Sequence, residues 1–150
     1  MVRILPAAAA LIFASTGLNA QTTSRLNSPL PLWADSGLVK AGFWAAYDFS
    51  SRTSPQVEFG DLDGDGLWDV AIAVVDNSGR RGGLAIIHQV DRSVHIVGAG
   101  QLLGNGRDQF SEWGLGRLIG HRAGVRVVDW HETGWIVWNG QTYVWVPDSD

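Results

Sequence analysis

Asp61, Asp63, Asp65 and Asp69 fall at alternating and near-alternating positions of FGDLDGDGLWDVAIAVV, residues Phe59–Val75, and Gly66 follows the third of them. Carboxylates at this spacing supply hard oxygen donors to a cation. The glycine permits the sharp turn that folds them onto one centre, and the Leu67 carbonyl would add a backbone oxygen. Several carboxylates converge at ligand distance only when a dication cancels their repulsion, so the pattern D-x-D-x-D-G-x-x-D points to Ca2+. Magnesium suits it less, because that ion keeps its waters and demands strict octahedral geometry. An EF-hand is excluded: the twelfth position counted from Asp61 is Ile72, where a bidentate Glu is required, and VAIAVV favours a strand over an exiting helix. The expectation is a calcium loop over 61–69 joining two strands.

Other chemistry is sparse. The chain has no cysteine, which removes disulfides, thiolate zinc sites and a cysteine nucleophile, and it has three glutamates, Glu58, Glu112 and Glu132. Asp108 with Glu112 is a carboxylate pair with nothing in the sequence to set the separation that glycoside hydrolysis needs. His131 with Asp129 or Glu132 reads as a turn rather than a dyad. His88 and His95 sit in consecutive strands, but two histidines without a third ligand make a poor zinc site. No G-x-S-x-G elbow is present, and GAGQLLG lacks the β-α-β surroundings of a dinucleotide loop. This inventory speaks against an enzyme.

The elements that must hold the loop are mostly strands. Residues 1–20, MVRILPAAAALIFASTGLNA, read as a secretory signal peptide, with Arg3, an apolar run too short to span a membrane and small residues at its end. Its removal would leave a net charge of about −5 on the remaining chain, which argues against nucleic-acid or anionic-membrane partners. Residues 21–31 read as a flexible leader, and 32–150 as one domain. Its start, LWADSGLVKAGFWAAYDF, suits a short helix. QVEF, DVAIAVV, LAIIHQV, SVHIVG, GVRVVDW, WIVW and QTYVWV read as strands, with turns at NSGRRGG, HETG and Asn139-Gly140. The fold class is therefore mainly β, with α+β as the alternative: a small antiparallel domain of hairpins with one calcium loop between strands. Both faces of the closing hairpin are bulky, with Trp135 and Val137 on one and Ile136 and Trp138 on the other. One face is core; the other is covered by the 98–120 segment or is an exposed aromatic surface. Gly98–Gly120 is the longest stretch without strand periodicity, and Arg107, Asp108, Phe110, Glu112, Trp113 and Arg117 make it the first candidate for a partner surface.

FGDLDGDGLWDVAIAVV followed by GLAIIH resembles one FG-GAP or VCBS-type repeat, the calcium-loop unit of integrin-like β-propellers, over roughly residues 57–88. The resemblance implies that Asp61, Asp63, Asp65 and Asp69 bind calcium. A propeller needs several such repeats and only one occurs, so a full propeller is excluded. The whole chain also resembles short bacterial exported proteins with one such loop, a Gly-rich middle and a closing hairpin. That likeness implies the periplasm or secretion, and a non-enzymatic calcium-binding module acting through protein interaction. The alternative is an inhibitor or immunity protein against a peptidoglycan hydrolase, with a periplasmic hydrolase as the third reading.

Overall fold

The computed structural model describes residues 26, 29–104, 106–117, 123–128 and 132–148. The signal-peptide segment, most of the leader, His121, Asp129 and His131 lie outside these residues.

Helix α1 spans Leu32–Lys40. Pro31 starts it, its carbonyl accepting from the Ala34 and Asp35 N–H groups, and Gly42, at φ 65°, ends it by turning left-handed where a side chain would be strained. Ala34 and Leu38, one turn apart, are fully buried. The short helix expected in LWADSGLVKAGFWAAYDF is α1; the remainder forms a single 3₁₀ turn, Phe43–Ala45, and the first strand, β1, Tyr47–Phe49. Its mixed spacing is that of a turn in which Phe43 meets Trp44 edge-on at 4.8 Å and stacks on Tyr47 at 5.6 Å.

Eight further strands follow: β2 (Val57–Gly60), β3 (Asp69–Asp76), β4 (Gly82–Ile87), β5 (Val94–Gly98), β6 (Glu112–Arg117), β7 (Ala123–Val128), β8 (Thr133–Trp138) and β9 (Tyr143–Pro147). They form two antiparallel sheets, a mainly β architecture as the sequence predicts. The first runs β1-β3-β4-β5, and β2 shares the same edge of β3 as β1: β1 pairs with Val74–Asp76 and β2 with Asp69–Ile72. The second is the meander β6-β7-β8-β9.

Strand β3 explains why DVAIAVV reads as a continuous apolar run. Val70, Ile72 and Val74 face Ala34, Leu38, Phe43 and Phe49, while Ala71 and Ala73 face the second sheet with Leu84, Ile86, Val125, Val127 and Ile136. Both faces are covered, so alternation vanishes. Leu26 and Leu30 pack against the helix-side layer. The result is three layers: helix and 3₁₀ turn, first sheet, second sheet.

The 98–120 segment is only partly loop, because β6 lies within it. Its period is hidden by Gly114 and Gly116, which alternate with Trp113 and Leu115. A Cβ on Gly116 would stand 2.7 Å from the Trp135 ring, so glycine is required where that indole crosses the strand. This also settles the closing hairpin: Ile136 points into the core between the sheets, and Trp135, only 8% exposed, is buried on the opposite face over Gly116. Its Nε1 donates to Asp148 at 2.9 Å.

Candidate metal centre

The acidic loop is the connection between β2 and β3, closed by the pairing of Gly60 with Asp69. Asp69 opens β3 and is fully buried. Its Oδ2 accepts from the N–H groups of Leu62 (2.9 Å) and Asp63 (3.1 Å), and its Oδ1 from that of Gln89 (3.0 Å). One carboxylate therefore anchors the start of the loop and the turn after β4. Burial pushes its carboxyl above the usual range, against the lowering effect of the backbone donors; neighbouring Asp63 raises it further.

The remaining aspartates shape the loop from within. Asp61 accepts from the Gly64 N–H at 2.7 Å and the Gly66 N–H at 3.2 Å. Asp63 Oδ1 accepts from Asp65 (2.9 Å), and Asp65 Oδ1 from the Leu67 N–H (2.7 Å). Gly64 and Gly66 sit at φ 81° and 89°, where a β-carbon would be strained. These short bonds from N–H groups further along the loop turn the side chains of alternate residues inward. One ligand atom each from Asp61, Asp63 and Asp65 lies within 4.8 Å of the others, so these acidic groups could hold a metal ion. Leu67 stands at the exit of the loop with its side chain 43% exposed.

A second group consists of Asp63, Asp69 and His88, again within 4.8 Å. His88 is buried, its Nδ1 lies 3.5 Å from Asp63 Oδ2, and its Nε2 is 2.8 Å from the Tyr143 hydroxyl. Sequence reasoning placed His88 only in a histidine pair with His95. The pairing of Val70 with Ile87 puts the next residue, His88, beside Asp69, and this offset in an antiparallel hairpin was the signal available. His88, His95, Trp138 and Tyr143 then form one ring cluster between the sheets, with centroids 4.6 to 5.8 Å apart. Burial pushes the Tyr143 phenol far above its ordinary value, and the charges of Asp69, Asp63 and Asp61 push the same way. Its hydroxyl therefore stays protonated. Burial, aided by His88, pushes the His95 imidazole down.

The six residues singled out in the 98–120 segment do not form one surface. Phe110 and Trp113, each 6% exposed, belong to the core between the sheets, because the segment folds back so that the Phe110 N–H reaches the Gly82 carbonyl. Asp108 accepts from Arg81 at 3.3 Å, and Arg81 in turn reaches Asp76 at 2.7 Å. Arg107 is half-buried, while Glu112 and Arg117 are exposed on β6. Asp108 and Glu112 thus serve different neighbourhoods. No family model, curated protein or solved structure matches the chain.

Proposed function

We propose that this chain is a calcium-stabilised β module that acts by binding rather than by catalysis, and that it works outside the cytoplasm after removal of residues 1–20. The observation that carries the reading is Asp69: a carboxylate buried at the foot of β3, with its oxygens committed to three backbone N–H groups, beside three further carboxylates in a nine-residue stretch. Crowding of this kind raises the free energy of the ionised loop, and a dication among Asp61, Asp63 and Asp65 relieves it. The resemblance of the loop to an FG-GAP or VCBS-type repeat supports calcium over other ions. The oxygen donors agree with it, because hard carboxylates suit hard cations.

Without disulfides, a domain of this size gains stability from any ion held only by its folded state. That gain is about 2.7 kcal/mol when free ion exceeds Kd a hundredfold. The test is thermal melting of residues 21–150 in EDTA, in calcium and in magnesium. A rise specific to calcium, lost in Asp63→Ala with Asp65→Ala, supports the reading; identical curves in all three conditions refute it.

A further inference from the structure

The end of β3 away from the acidic loop carries a cavity of about 350 Å³, walled by three segments. The 50–56 connection forms the first wall. The Ser50 N–H donates to the Ala73 carbonyl and the Gln56 carbonyl accepts from the Ala73 N–H, so both ends of this connection close on one residue of β3. Inside it, Ser50 Oγ and Thr53 Oγ1 lie 2.9 Å apart and share a single hydrogen bond, which leaves one of the two hydroxyl protons to donate elsewhere. The second wall is the β3–β4 hairpin, which Asp76 ties together by accepting from Ser78 Oγ, from the Arg80 and Arg81 N–H groups and from Arg81 Nε. The third is 109–111, fixed where the Phe110 N–H donates to the Gly82 carbonyl at 3.1 Å.

Arg52 lines the cavity from the first wall and Arg80 from the second, and no Asp or Glu among the described residues lines it. Neither arginine has an ion pair among the described residues, whereas the neighbouring Arg81 reaches both Asp76 and Asp108. Two unpaired guanidiniums at one cavity repel each other until an anion stands between them. We propose that the cavity binds the phosphate group of a small phosphate monoester. Two properties single out phosphate. At neutral pH it carries about two negative charges, which match the two cations. Its tetrahedral oxygens accept on several sides, from two guanidinium forks and a hydroxyl, where a planar carboxylate accepts within one plane. Val75 and Phe110 add apolar surface for the organic part of the ligand. The site is independent of any ion among Asp61, Asp63 and Asp65, because β3, from Asp69 to Asp76, holds its two ends about 23 Å apart.

The experiment is calorimetric titration of residues 21–150 with phenyl phosphate, phthalate and phenol at low ionic strength, in calcium and again in EDTA, below the melting transition of each. Phenyl phosphate should bind saturably, phthalate more weakly and phenol not at all. Arg52→Gln and Arg80→Gln should each weaken phenyl phosphate about tenfold, as for a lost charge-assisted hydrogen bond, and leave Tm without ligand unchanged. Arg52→Lys keeps the charge but loses the fork, and should recover part of the loss. Arg117→Gln removes the same charge from an exposed site on β6 and should leave binding unchanged, which separates a built site from bulk charge. Equal affinity in calcium and EDTA separates this cavity from the proposed metal loop. The proposal is overturned if phenyl phosphate does not bind, if phthalate binds as tightly, if Arg52→Gln or Arg80→Gln binds as tightly as the unmodified protein, or if Arg117→Gln weakens binding as much as they do.

Discussion

His88 Nε2 and the Tyr143 hydroxyl stand 2.8 Å apart, and through this contact the acidic loop is tied to the second sheet. The chain of neighbours runs from Asp63, across the imidazole of a residue at the end of β4, to the first residue of β9. Tyr143→Phe removes one partner and leaves a buried ring nitrogen to find another. A loss of about 1 to 3 kcal/mol is expected, as for an unsatisfied buried polar group, and chemical denaturation would measure it. The calcium response should survive, since the loop keeps all four carboxylates.

Asp69 has a double part in the proposed metal loop. Asp69→Ala orphans three backbone N–H groups at once, so it should lower stability in EDTA as well as in calcium, by at least about 2 kcal/mol. Asp65→Ala, which frees one exposed donor, should cost little in EDTA and act mainly on the calcium-induced rise. Melting both variants in both conditions distinguishes scaffold from ligand; equal behaviour of the two would contradict this division.

Gly116 is the position on β6 over which Trp135 lies. Gly116→Val places a side chain against the indole and should destabilise by about 1 to 3 kcal/mol through overpacking. Gly114→Val, on the same strand and face with no atom within 4 Å of a new Cβ, should be far milder. Comparison of the two by urea denaturation tests whether the glycines serve the tryptophan or only the turn-rich composition.

Asp76 closes the β3–β4 hairpin, accepting from the Ser78 hydroxyl at 2.7 Å and from Arg81 Nε at 2.7 Å. The Ser78 bond, then that of Arg81, holds its carboxyl far below the ordinary value of 3.8. A folded-state value below the unfolded one means stability that is complete above the unfolded value and is lost as pH falls through the folded one. Asp76→Asn should therefore lower Tm at pH 7, and the gap should shrink as the solution is acidified below about pH 4. A gap that stays constant from pH 7 into acid would show that the ionised carboxylate contributes nothing.

The acidic loop between β2 and β3 could be read from the chain because all its determinants are local. Asp61, Asp63, Asp65 and Asp69 lie within nine residues, and the glycines that turn the backbone are interleaved with them. The hairpin at Asn139-Gly140 was legible for the same reason, and so was the length of β3. Strand β6 escaped notice because Gly114 and Gly116 break its apolar alternation, and Gly116 answers to Trp135, about twenty residues further on, rather than to its neighbours. Strand β1 was hidden in a stretch of mixed apolar spacing whose aromatic residues pack on one another.

The sequence by itself determined which residues crowd their charge into one turn and which segments alternate as strands, since spacing along the backbone sets both. Tertiary structure alone decided what those elements meet. It brought His88 to Asp69 through a β-pairing register and placed Tyr143 on His88 across two sheets. It buried Phe110 and Trp113 in the core while leaving Trp68 in the open beside a groove. Those outcomes depend on contacts between residues far apart in the chain, where the packing of whole faces, not local spacing, sets the free energy.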